Sequence, residues 1–210
     1  MSANVSPIII ETAAPTLAPE ERARADMYAL IAALFYGATS RELLDAVASA
    51  PALAGEPGAP LPRAWDDLRR AAAVTDPQAV REEFDTCFIS IGEAPVLLYG
   101  SHYLTGYLHE KPLAELRGTL ARLGLCRNQH VLEPEDHISA VADVMRHLIL
   151  SGDGEFETQR DFFTRFIGSW YGKLADRMEQ VPELVFYRDV GRFTRAFLDV
   201  ERESFDLESA

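Results

Sequence analysis

Apolar side chains recur at steps of three and four residues in one segment after another. Met27, Tyr28, Ile31, Leu34 and Phe35 do so first; Val80, Phe84, Cys87 and Phe88 follow; then Ile138, Val141, Met145 and Leu148, and finally Phe186, Val190, Phe193, Phe197 and Val200. That period puts each set on one face of a helix. No stretch combines period-two alternation with turn punctuation, so no strand is expected. The pattern predicts an all-α fold, a single globular bundle of about eight helices.

Punctuation marks the helix ends. Pro19-Glu20-Glu21 places a proline and two acids in a first turn, and Gly37 is a stop. Ser40 can cap a helix from Arg41 to Ala50, ended by Pro51. After a Pro- and Gly-rich loop, helices are expected from Pro62 to Val74, from Asp76-Pro77 to about Ile89, and from Lys111-Pro112 to near Gly124. Residues 125–133 read as a connector, Pro134 to Leu150 as a helix, and Ser151 to Gly154 as a turn. The stripe Phe162, Phe163, Phe166, Ile167, Trp170 and Leu174 predicts one further helix before the last. Residues 1–18 lack periodicity and are expected to form a flexible arm, leaving 19–210 as a single helical domain.

The chain has 210 residues, 48% of them hydrophobic, enough for a sizeable core. Its formal net charge of -13 argues against an electrostatic grip on nucleic acid or anionic lipid and suits a cationic partner. Cys87 and Cys126 form no CxxC pair; Cys87, among apolar residues at helical spacing, reads as a buried free thiol. No secretory signal and no membrane-spanning run stands out, so a cytoplasmic protein is expected.

Glu133-Pro134-Glu135-Asp136-His137 gathers the densest chemistry. As a helix start it is ordinary: Pro134 suits the first helical position and the acids face the positive end of the dipole. As a site it invites metal or acid–base readings. The spacing supplies neither. None of the five histidines has a Glu three residues before it, no HExxH occurs, and no GxSxG, GxGxxG or phosphate loop is present. Asp143 and His147, four apart on the same helix, read as a surface pair. Ser90 to Leu104 is apolar and aromatic without a period, either a lid over the core or the floor of a binding groove.

Three places share an order. Tyr28 to Phe35 runs from an aromatic residue to Leu34-Phe35, Pro95 leads to Ser101-His102-Tyr103, and Glu133-Pro134-Glu135-Asp136-His137-Ile138 follows. Together they resemble the TorD/DmsD-type family of redox-enzyme maturation chaperones. That family has an aromatic-then-Leu-Phe opening, a Pro-rich segment ending in Ser-x-Tyr, and a Glu-Pro-x-Asp-His signature. The family often carries a Glu before the Ser, where this chain has Gly100.

The resemblance implies a TorD-like helical fold and a non-catalytic cytoplasmic chaperone with no cofactor of its own. It would bind the twin-arginine leader, the body, or both, of a molybdopterin-dependent oxidoreductase subunit, hold it back from export and assist insertion of its cofactor. Glu133 and Asp136 would meet the leader's arginines, and His137 would orient or sense that contact. Tyr99, Ser101 and Tyr103 belong to the implied client site, with the tyrosines and nearby apolar residues taking the leader's hydrophobic segment. The protein would be a monomer, or a domain-swapped dimer exchanging its C-terminal helices at 125–133. Two other readings stay open: a helical metal- or nucleotide-dependent hydrolase using Glu133 to His137, and a helical assembly module for another client.

Overall fold

The structure, a computed structural model, describes residues 17–56, 58–89, 94–108, 111–128, 131–151 and 156–207. The expectations that fall on residues 1–16, on Ser90 to Glu93 and on Gly152 to Gly154 lie outside them. Helix α1 spans Pro19–Tyr36, with Pro19 leading and Glu20 and Glu21 in the first turn. It ends at Gly37 in extended backbone rather than in a left-handed cap. Helix α2, Arg41–Ser49, starts where the Ser40 hydroxyl accepts the Leu43 N–H at 3.3 Å. Helix α3 is Pro60–Val74, and α4, Pro77–Phe84, continues into a π-helical turn at Asp85–Ile89. Helices α5, Gly100–Thr105, and α6, Lys111–Arg122, come next; Gly124, at φ 71°, then turns the chain out of α6. Helix α7 is Ile138–Ser151, and α8, Phe156–Phe163, runs into a second π turn at Thr164–Gly168. Helices α9, Tyr171–Gln180, and α10, Phe186–Leu207, complete the described chain.

Helices α1 and α7 lie along one another, while α10 packs on α3, α4 and α9. One contiguous apolar core joins them, with Tyr28, Phe35, Trp170, Tyr187 and Phe193 fully buried. Each such side chain contributes about 1.5–3 kcal/mol by leaving water. Rings interlock at the centre: Phe84 lies 5.1 Å from Phe88 and 5.4 Å from Tyr187. Cys87 is buried there as a free thiol, as its spacing predicts, and Cys126 is exposed.

Distant side chains tie off several helix ends. The Glu83 carboxylate on α4 accepts the N–H groups of Val185, Phe186 and Tyr187 at 2.9, 3.1 and 2.7 Å, so it closes the start of α10. The Tyr187 hydroxyl in turn accepts the Thr39 N–H at 3.0 Å, holding the α1–α2 turn.

The all-α expectation holds, with ten α-helices among the described residues rather than about eight. Two places account for the difference. The apolar run before Leu104 contains α5. The stripe from Phe162 to Leu174 is split, because the π turn and the non-helical backbone of Trp170 separate α8 from α9. Among the described residues no helix is long and apolar enough to cross a membrane.

Candidate functional site

The Glu133–His137 segment is not the first turn of α7. The His137 N–H closes a turn onto the Pro134 carbonyl at 3.2 Å. At His137 the backbone forms an isolated antiparallel bridge with Tyr99: the Gly100 N–H donates to the Asp136 carbonyl, and the Ile138 N–H to the Leu98 carbonyl, each at 2.9 Å. Backbone committed to that bridge cannot be helical, so α7 begins at Ile138 and not at Pro134. This corrects the helix-start reading.

The side chains follow from that geometry. Asp136 does not complement the dipole of α7. Its Oδ2 accepts the Ser101 N–H at 2.8 Å and thereby caps α5, thirty-five residues upstream. His137 is the cap of α7. Its carbonyl accepts the Ala140 and Val141 N–H groups, and its Nδ1 accepts the Ser139 N–H at 3.2 Å, with the Ser139 hydroxyl 2.8 Å away. Nδ1 must therefore keep a lone pair. Burial pushes the imidazole down to about 4, against the pull of the Glu133 and Asp136 charges. Asp136 is 5% exposed and His137 4%.

Glu133 accepts the Tyr99 hydroxyl, and the Tyr99 ring stands edge-on to His137 at 5.2 Å. Burial, reinforced by Glu133, holds the Tyr99 phenol above its usual range. Glu135 turns to α6. Arg117 reaches its Oε2 at 2.8 Å, and Arg127 lies 3.8 Å from its Oε1. Burial opposes the charge on Glu135, but the Arg117 hydrogen bond, a backbone hydrogen bond and the Arg117 and Arg127 charges together outweigh it and keep the carboxyl below its usual range. Asp143, expected beside His147, pairs with Arg146 at 3.4 Å instead.

Five of the six residues singled out from the sequence meet here: Tyr99, Ser101, Glu133, Asp136 and His137. The sixth, Tyr103, stacks on Trp170 at 5.7 Å, and Lys173 donates to its carbonyl at 3.0 Å. Three clefts flank the segment. One of about 460 Å³ lies between α1, α6 and α7 and reaches Tyr36 and Glu133. A second, of about 330 Å³, shares Tyr36 and Glu133 and extends to Tyr99 and Leu108. The third, of about 220 Å³, shares Tyr99 and Leu108 and ends on Ser101 and Asp136. Among the described residues the buried Ser101 hydroxyl has no hydrogen-bond partner. Exposed apolar side chains rim the run: Leu132 is 90% exposed and Tyr36 62%. Tyr36, Leu108 and Leu132 are not marked by periodicity, because Tyr36 is the last residue of α1 and the other two lie outside the helices. Among the described residues no three His, Cys, Asp or Glu side chains are grouped to hold a metal ion.

Gly100 has a steric reason. A Cβ there would lie 2.9 Å from the Trp170 Nε1 and 3.0 Å from Cε2. The indole is buried and donates to the Phe166 carbonyl at 2.6 Å, so it has nowhere to retreat. Gly100→Ala is expected to lower the unfolding free energy by about 1–3 kcal/mol, read from the urea midpoint at unchanged m. A midpoint equal to that of the native protein would show that the ring yields.

A sequence model of the family described as "Nitrate reductase delta subunit" matches residues 55–176. A protein named "Chaperone protein TorD" from Vibrio parahaemolyticus serotype O3:K6 is 26% identical over 148 residues, covering 65% of this chain and 69% of that protein. A Vibrio cholerae serotype O1 protein of the same name is 26% identical over 134 residues, covering 59% of this chain and 61% of its own. The chain thus spans between 61% and 69% of the length of these curated relatives. A crystal structure of a candidate redox enzyme maturation protein from Archaeoglobus fulgidus superposes with a TM-score of 0.55 at 19% identity, covering 85% of this chain and 93% of that one. That likeness carries the helical fold.

Proposed function

Starting from the fact that this chain belongs to the nitrate reductase delta subunit family, we propose that it is a cytoplasmic chaperone for a molybdopterin-dependent oxidoreductase subunit. It binds the client's twin-arginine leader, its body, or both, and keeps the client receptive until its cofactor is inserted. Its relatives are named chaperones, a role without catalysis.

The observation that carries this reading is the run of clefts around Glu133. Its floor is apolar, its rim holds Leu132 and Tyr36 in water, and carboxylates stand along it. A leader offers the complement, a cationic end followed by an apolar stretch. The net charge of -13 draws such a peptide in, and the apolar floor retains it. Glu133 is the carboxylate we assign to the leader's arginine, because it lines two of the clefts. Asp136 acts at the end of the run, where its own cap bond and the Ser101 hydroxyl meet the third cleft. His137 positions both by holding the turn between them. Tyr99 carries the apolar wall, and Tyr103 supports α5 from behind through Trp170.

The test is a calorimetric titration with a peptide of two adjacent arginines followed by apolar residues, beside the same peptide with two lysines. Binding of the arginine peptide, and about tenfold weaker binding of the lysine peptide, is expected. Silence with the leader peptide, coupled with capture of the leaderless client, would assign the site to the client's body. Silence with both would remove the chaperone reading.

A further inference from the structure

A guanidinium already sits at the acidic end of the 460 Å³ cleft, and it is the chain's own. Arg127 leaves the connector after α6 and turns back under it. Its Nη1 donates to the carbonyls of Val131, Leu132 and Glu133 at 2.8, 3.3 and 3.4 Å. Its Nε faces the Glu135 carboxylate at 3.8 Å. One NH₂ group shared among three carbonyls makes one good bond and two long ones. The side chain is 39% exposed, so water can take over these bonds at small cost. Beside it lies the apolar floor of the 460 Å³ cleft, formed by Ala32 and Tyr36 of α1, Leu120 of α6 and Val144 of α7.

We propose that Arg127 is an internal stand-in for a partner's arginine. This rests on the leader reading above, in which the Glu133 carboxylate takes one leader arginine, and adds a second seat beside it, at Glu135, that is self-occupied in the free protein. The occupant is a segment that places an arginine next to apolar residues. Its apolar residues seat on the floor between α1 and α7. Its guanidinium replaces that of Arg127 at Glu135 and at the carbonyls of residues 131–133, and Arg127 swings into solvent. The exchange is like for like, which favours a planar guanidinium with several donors over an ammonium, a compact point charge. Arg117 keeps its own hold on the other oxygen of Glu135, so the carboxylate stays oriented during the exchange.

The experiment compares native protein with Arg127→Ala and Arg127→Gln, each titrated with the two-arginine peptide and the two-lysine control. Circular dichroism checks that helix content is kept. Removing the competitor is expected to tighten binding of the arginine peptide by about two- to five-fold in both variants, and to leave the lysine peptide unchanged. If the alanine variant does not fold, Arg127→Lys serves, with a smaller gain expected. Unchanged or weaker binding by folded variants, while the native protein binds, would overturn the stand-in role alone and make Arg127 a brace for the connector. Native protein that ignores the peptide overturns the leader reading, and this inference with it.

Discussion

Glu201→Gln is expected to cost about 3 kcal/mol of unfolding free energy, the low end of what breaking a buried ion pair costs. Glu201 lies on α10 at 2% exposure. Arg24 of α1 grips it with two bonds of 2.8 Å, and the Tyr28 hydroxyl adds a third at 3.0 Å. Burial works against the charge on Arg24, yet Glu201 and Glu21 hold its proton more firmly than water would. Glutamine keeps the shape and removes the charge, leaving Glu21 as the carboxylate paired with Arg24 among the described residues. Glu21 is more exposed than Glu201 and compensates in part, which places the loss at the low end. Denaturant unfolding of Arg24→Met, Glu201→Gln and the double variant separates pair from parts. The double variant is expected to lose less than the sum of the single losses. Additive losses, or a Glu201→Gln cost below about 1 kcal/mol, would mean that the pair does not join α1 to α10.

The second large effect is in pH. His137 is neutral in the fold because its Nδ1 is an acceptor in the cap of α7 and because it is buried. Its folded value, pushed down to about 4, lies below the usual 6.5. The unfolded chain therefore binds a proton that the folded chain refuses. The contribution is complete above about pH 6.5 and is lost as pH falls toward 4, the full loss amounting to about 3 kcal/mol. His137→Asn isolates it, since asparagine can still accept the Ser139 N–H but does not titrate. Between those pH values the native protein is expected to lose stability more steeply than the asparagine variant, by up to one proton's worth of slope. Parallel curves would show that His137 titrates normally.

Much of the fold was legible along the sequence because helix faces and many caps are local. Ser40 caps its own helix, Pro19 and Pro77 open theirs, and Val80, Phe84, Cys87 and Phe88 face inward as their spacing says. What was not legible lies in pairings between distant segments. Asp136 caps a helix thirty-five residues away, and Glu83 caps one more than a hundred residues away. Neither partner is marked by periodicity. The bridge between Tyr99 and His137 delays α7, so a stretch that reads locally as Pro-led first turn becomes a separate turn ahead of the helix. The candidate residues were found by their chemistry, and five of the six converge. The neighbours that complete the clefts, Tyr36, Leu108, Leu132, Arg117 and Arg127, lie at helix ends, in loops or on an exposed helix face, where residue type carries little signal.

The account turns on a carboxylate that reads arginine at the wall of an apolar groove, and Glu133→Gln tests it most directly. The substitution keeps an acceptor for the Tyr99 hydroxyl and removes only the charge. Calorimetric titration of native and Glu133→Gln protein with the two-arginine leader peptide is the measurement, with thermal midpoints recorded beside it. About tenfold weaker binding at a nearly unchanged midpoint is predicted, the scale of one charge-assisted contact. Equal affinity for the leader in a folded Glu133→Gln protein would contradict the account.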